Sequence, residues 1–148
     1  MSRPSLPPSL TMLGLAGIAP QAICVLAALF VPDWRWFAIA AGCCYAAVIL
    51  SFLGGMWWMA ALIGNRRDSV SFLVAVMPSL IGWGAMLPWC FGWRWPGPSL
   101  LVLAACLPAS PLVDYKLKAC AQLPLAWLRL RVVMAGGLGL TTLALALI

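Results

Sequence analysis

The chain contains no histidine and no glutamate, and its only acidic residues are Asp33, Asp68 and Asp114. A histidine-based catalytic triad, a haem held by histidine and a zinc site of mixed histidine and cysteine ligands all need an imidazole, so composition excludes them. Two of the three aspartates lie in predicted loops, which leaves no obvious pair for carboxylate catalysis. Neither a Walker loop nor a dinucleotide fingerprint occurs. We therefore predict a protein that is not an enzyme and that has no metal or cofactor.

Charged residues are scarce as well, at 8% of the chain, whereas 65% of the residues are hydrophobic and the mean hydropathy is +1.05. A soluble domain carries roughly 25% charged residues. A soluble fold could not bury this much apolar surface, but helices that span a bilayer expose it to lipid. The 148 residues suffice for about five spans with short loops. The sequence thus predicts a single all-α domain, a bundle of five transmembrane helices.

Breaks in the apolar sequence place the spans at about 10–31, 36–63, 70–91, 99–121 and 124–148. The first continues past Pro20, where we expect a bend, and has no signal-cleavage site. The second would be about 42 Å long, so it must tilt or protrude from a core of about 30 Å. The fourth contains Pro108 and Pro111 in a short apolar run. It is kinked or re-entrant, or it crosses if the helix continues to about Ala121.

The basic residues predict the orientation of the chain. The net charge of +6 would suggest nucleic acid in a soluble protein, but the nine lysines and arginines here lie between apolar runs, and we expect no nucleic-acid partner. With a cytoplasmic N-terminus, only Arg35 and Arg94 fall on the outer side. Trp34, Trp36, Trp89, Trp93 and Trp95 fall there too, where indole rings favour the headgroup layer. We predict that the N-terminus is cytoplasmic and the C-terminus lies on the opposite side.

Six cysteines lie mostly inside the apolar runs, without a C-x-x-C pair, and small apolar packing is their expected role. A thiol-dependent activity of the adjacent Cys43 and Cys44 is the enzymatic alternative.

The most organised stretch covers residues 45–58, YAAVILSFLGGMWW. Small residues, Ser51, Gly54 and Gly55 among them, recur three and four positions apart, which lets two helix backbones approach closely. Trp57 and Trp58 follow directly. Two interpretations are open: a packing seam in which the indoles fill gaps, or a ligand pocket that the indoles line.

Two further segments are candidates for packing or for a pocket. The first is MPSLIGW, residues 77–83, in which Pro78 removes a helix hydrogen bond and indicates a kink. Trp83 is the last residue of this motif. Gln21 is the only amide of the first span, so we expect it to face the bundle and bond across helices rather than meet lipid. Substrate binding is the alternative for Gln21.

A polar cluster is predicted at the cytoplasmic ends of the last two helices. Asp114 and Lys118 are spaced i, i+4, and Arg129 and Arg131 begin the next helix, so an ion-paired rim can form. The simplest interpretation is a topology signal that also anchors lipid phosphates; a site for an anionic headgroup or a partner protein is the alternative.

Four motifs occur together in order: LGLAGIAP, CYAAVILSFLGGMWW, MPSLIGW and LPLAWLRLRVV. The ordered set, which covers nearly the whole chain, resembles the uncharacterised family that includes transmembrane protein 69, the domain of unknown function 3429. The resemblance implies a small multi-span protein of the bacterial inner membrane, with mitochondrial relatives and no established activity. Relatives often carry a polar or basic residue at the position of Trp57, and this departure argues against a polar role there.

Minimal loops, small-residue faces and the lack of catalytic groups lead to the first functional hypothesis. It is a non-enzymatic accessory or assembly subunit that packs against a larger inner-membrane complex, surrounded by membrane lipids. The alternative is a carrier or binding protein for a small apolar or lipid-like ligand, since helices broken by proline line cavities in transporters.

Overall fold

The computed structural model describes residues 7–65, 68–93, 96–117 and 125–148, which are almost entirely helical. The helices are α1 (Pro8–Ala16), α2 (Ala19–Phe30), α3 (Arg35–Ile63), α4 (Ser69–Cys90), α5 (Gly97–Lys116) and α6 (Leu125–Leu147), with a 3₁₀ turn at Pro32–Trp34. Together α1 and α2 form the first of five segments that are long and apolar enough to cross a membrane. The prediction of an all-α protein with five membrane-spanning segments is confirmed.

The first span is broken just before Pro20 rather than bent at it. α1 ends at Ala16 and α2 begins at Ala19, with Pro20 in the first turn of α2. Proline has no N–H and its ring crowds the preceding turn, so the interruption falls on the N-terminal side of the ring. The Tyr45 hydroxyl of α3 donates a hydrogen bond to the Gly17 carbonyl at 2.6 Å, and this bond holds the break against the bundle.

The fourth span is one continuous helix. α5 has 20 residues, about 30 Å of helix, and runs through Pro108 and Pro111 without interruption. Gly139 of α6 leaves room for the ring of Pro108, because a Cβ atom at Gly139 would lie 2.8 Å from Pro108 Cδ. Of the three alternatives for this span, the structure therefore favours a helix that crosses; the predicted extension to Ala121 lies outside the described residues.

α3 is the central helix and packs against α2, α4, α5 and α6. The core is made of aliphatic side chains and one cysteine, with Ile39, Cys43, Leu50, Leu103 and Leu145 almost fully buried. The outward faces carry large exposed apolar side chains over most of their length, as helices that contact lipid do. α4 begins with an N-cap, in which the Asp68 carboxylate accepts the backbone N–H of Ser71 at 2.9 Å.

Candidate functional site

The most polar part of the interior lies between α3, α5 and α6. The last two helices, α5 and α6, face each other with stripes of buried residues at spacings of four and three. The stripes are Leu103, Leu107, Ser110 and Asp114 on α5, and Arg131, Ala135, Leu138 and Thr142 on α6. This spacing keeps one face of each helix against its partner over several turns. It also turns the polar members of both stripes inward.

Asp114 and Arg131 form an ion pair inside the bundle. Their exposed fractions are 1% and 4%. Arg131 donates from Nη2 and from Nε to the same carboxylate oxygen, Oδ2, at 2.7 and 3.1 Å. Burying two charges costs several kcal/mol per ion unless the pair is close and hydrogen-bonded, and this geometry meets both conditions. The bonds use Nε and Nη2, so Nη1 is the guanidinium nitrogen left for another acceptor.

Trp57 completes this cluster from α3. The indole is 4% exposed, and its Nε1 donates to the second carboxylate oxygen of Asp114, Oδ1, at 2.5 Å. Trp57 therefore has a polar role, contrary to the expectation from its departure from the family pattern, because an indole has an N–H donor as well as an apolar ring. Both oxygens of Asp114 are thereby bonded, and one carboxylate joins three helices.

A cavity of about 100 Å³ lies beside this cluster. Apolar side chains of α3, α5 and α6 form most of its wall, with the α1–α2 break at one side, and its polar lining is Ser110, Trp127 and Arg131. The Ser110 Oγ and Trp127 Nε1 atoms are buried and have no hydrogen-bond partner among the residues that the structure describes. Thr142 and Thr141 of α6, by contrast, donate to helix carbonyls one turn earlier, at Leu138 and Gly137. The cavity thus contains two polar groups without a partner in the described protein.

A second polar contact lies further along α6, away from the cavity. Gln21 of α2 is fully buried, and its Nε2 donates to Thr142 Oγ1 at 2.9 Å. The amide therefore bonds across helices, which is the role expected for it from the sequence. Its Oε1 has no partner in the described part of the chain.

The glycine and tryptophan pairs of α3 each have one member inside and one outside. A Cβ atom at Gly54 would lie 2.5 Å from the Ala75 carbonyl oxygen of α4 and 3.3 Å from Pro78 Cβ, whereas Gly55 has nothing within 4 Å. Trp58 is 41% exposed and packs edge-to-face on Phe72 of α4 at 5.0 Å, whereas Trp57 is buried. The α3–α4 seam thus runs through Gly54, while the Trp57 indole belongs to the polar cluster instead.

Ser51 and Trp83, the other candidates on α3 and α4, lie together at an open groove between these helices. The groove has a volume of about 350 Å³ and a floor that includes Ala47 and Gly82. Trp83 is exposed, and Ser51 is half-buried. This groove is a surface feature and is separate from the internal cavity.

The structure does not bring the residues of the predicted cytoplasmic rim together at the surface. Asp114 and Arg131 lie within the bundle rather than at its surface, Arg129 is exposed, and Lys118 lies outside the described residues. Successive helix positions are about 100° apart, so Arg129 and Arg131 point in different directions although only one residue separates them. Within the described ranges, no group of three or more cysteine or aspartate side chains is placed to hold a metal ion.

Sequence reasoning missed Ser110, Trp127 and Thr142. A signal for two of them was present, because Ser110 and Asp114 on α5, and Arg131 and Thr142 on α6, fall on the stripes of small and aliphatic residues that face each other. Nothing in the sequence distinguishes Trp127 from the tryptophans that lie at the membrane surface.

The fold and this site define a multi-pass helical membrane protein with a buried polar cluster beside an internal cavity. The chain belongs to the family described as protein of unknown function DUF3429, whose sequence pattern matches residues 6–148. Comparison with curated proteins and with solved structures finds no match.

Proposed function

We propose that this protein is a non-enzymatic membrane protein that binds a small, lipid-like ligand in the cavity between α3, α5 and α6. The observation that carries the proposal is the pair of buried polar atoms, Ser110 Oγ and Trp127 Nε1, that line an otherwise apolar cavity without a partner in the described chain. A buried polar group without a hydrogen-bond partner costs roughly 1–3 kcal/mol, and more where lipid excludes water. A bound ligand would supply the missing hydrogen bonds.

The size of the cavity limits what it holds. Sites for whole drug-sized molecules measure roughly 300–1,000 Å³, whereas this cavity of about 100 Å³ has room for one polar group and a few carbons. Phe52, at the wall of the cavity, is 63% exposed on the outer surface of α3. We therefore place the polar end of the ligand inside and its apolar tail past Phe52, among the surrounding lipids.

Filling the cavity is expected to abolish binding. Ala135 lines it and is buried, so Ala135→Leu would occupy its volume, whereas Ala126→Leu on the same helix changes an exposed position. Native mass spectrometry of the protein released from membrane nanodiscs measures the retained amphiphile. We expect retention by the unaltered protein and by Ala126→Leu, and loss in Ala135→Leu while this variant remains folded. Equal retention in both variants would refute an internal site.

An accessory or assembly subunit of a larger membrane complex is the second proposal. The open groove between α3 and α4 favours it, since the half-buried Ser51 and the exposed Ser79 in its lining are small and would let a helix of a partner approach closely. We expect purification in several mild detergents to retain a stoichiometric companion that Ser79→Leu releases, because Ser79 is exposed in the groove, and that Gly84→Leu on the same helix does not release. Monodisperse isolation without any companion would contradict this proposal.

We also propose that the protein lies in the bacterial inner membrane with its N-terminus in the cytoplasm. A mitochondrial inner membrane is the alternative. The orientation is supported by the exposed Lys116 at the end of α5 and Arg129 near the start of α6, at one end of the bundle. At the other end Arg35, which begins α3, donates to the Ile148 carbonyl oxygen beside the end of α6.

A further inference from the structure

We infer that the ligand of the internal cavity is electrically neutral and presents a hydrogen-bond-accepting carbonyl oxygen, as an ester or a ketone does, on an apolar body. This inference rests on the proposed ligand-binding function and specifies the chemical class of its ligand.

Neutrality follows from the charge balance beside the cavity. Arg131, the charged residue of the lining, is paired with Asp114, so one positive and one negative charge cancel there. The nearest other described cations along the two helices, Lys116 and Arg129, are exposed. A charged ligand group would therefore enter a low-dielectric interior without a counter-ion, which costs far more than any single hydrogen bond returns.

The requirement for an acceptor follows from a count of donors. Both oxygens of Asp114 already accept hydrogen bonds, Oδ2 from Arg131 and Oδ1 from Trp57. This carboxylate is therefore not the missing acceptor for Ser110 or Trp127. Three donors on lining residues are therefore available: Trp127 Nε1 and Arg131 Nη1 can only donate, and the Ser110 hydroxyl can donate. A carbonyl oxygen has two lone pairs and can accept from two of them, whereas an ammonium group has only donors.

The remaining side chains of the cavity lining are apolar, and they indicate that the rest of the ligand is apolar too. Leu107, Met134 and Leu138 face the cavity from α5 and α6, and Ile49, Leu53 and Met56 face it from α3. Such side chains offer no hydrogen bonds to a second polar group of the ligand. One carbonyl at the end of a hydrocarbon chain matches this distribution of one polar side and several apolar ones.

Competition among four probes that share one straight alkyl chain tests this inference in nanodiscs of zwitterionic lipid. A form of each probe with a photoreactive diazirine on its chain labels the protein, and mass spectrometry maps the labelled residues. The competitors are the unlabelled methyl ketone, the carboxylate, the ammonium and the plain alkane, compared at equal mole fraction in the bilayer and at a pH high enough to ionise the carboxylate.

We expect labelling at cavity residues and the strongest competition from the ketone. Ser110→Ala and Trp127→Phe should each weaken ketone competition about three- to tenfold, the value of one hydrogen bond, and leave the alkane unchanged. The controls Ser79→Ala and Trp58→Phe alter exposed side chains and should have no effect. Stronger competition by the carboxylate or ammonium, or equal competition by the alkane, would overturn this inference while the binding function stood. Absence of labelling at the cavity with every probe would overturn the binding function itself.

Discussion

Replacing Arg131 by methionine is expected to destabilise the folded protein by about 3–5 kcal/mol, because Asp114 would remain buried without its counter-charge. The two bonds from Arg131 to Asp114 Oδ2, at 3.1 and 2.7 Å, are the interactions that offset the burial of this carboxylate. Asp114→Asn should cost a similar amount, since it leaves the guanidinium uncompensated. The free energy of unfolding, measured by denaturing-detergent titration in mixed micelles, checks both values.

Two comparisons separate charge pairing from loss of side-chain volume. Arg129→Met removes an exposed arginine from the same helix and should change the free energy of unfolding by less than about 0.5 kcal/mol. The double variant Asp114→Asn, Arg131→Met removes both charges, keeps an oxygen that can accept from the Trp57 indole, and should recover most of the stability because no uncompensated charge remains buried. Similar losses in Arg129→Met and Arg131→Met, or additive losses in the double variant, would show that the pair is not what stabilises this region.

Gly54→Ala is expected to destabilise the protein by about 1–3 kcal/mol through overpacking of the α3–α4 seam. The new Cβ atom would lie 2.5 Å from the Ala75 carbonyl oxygen, and this oxygen is backbone that cannot rotate away. The helices must separate locally, which also disturbs Pro78, whose Cβ is 3.3 Å from the same point. The melting temperature and the detergent concentration at half-unfolding both measure the effect.

Gly55→Ala is the matched control, since it adds the same atom to the same helix one residue further on. Its Cβ atom meets nothing within 4 Å, and alanine is favoured over glycine in a helix by up to about 1 kcal/mol. We expect unchanged or slightly increased stability. Equal destabilisation by the two substitutions would mean that the close contact of Gly54 with α4 does not determine packing here.

The membrane-spanning segments were predictable because their signal is local. Spans of about 20 apolar residues, interrupted by residues such as Asp33 and Asp68, follow from hydropathy and chain length alone. The fourth span was left open because proline weakens a helix in isolation, and the sequence does not reveal that Gly139 of a different helix makes room for Pro108. The position of the break before Pro20 was predicted only to within a turn.

The site was predictable only in part, because it depends on helix rotation. Hydropathy marks Asp114 and Arg131 as polar residues near the ends of spans, where a charged side chain can either reach the surface or pair inside the bundle. Likewise Trp57 and Trp58, or Gly54 and Gly55, are indistinguishable as neighbours in sequence. A rotation of about 100° per residue sends one of each pair inward and the other outward.

The sequence by itself determined that this protein is a helical membrane protein with five spans, because composition and run length depend on nothing beyond the chain. Tertiary structure alone decided that one carboxylate joins α3, α5 and α6, and that Ser110 and Trp127 line a cavity without partners among the described residues. Those contacts link residues up to 57 positions apart. They exist only after the helices have set their rotation and separation by packing.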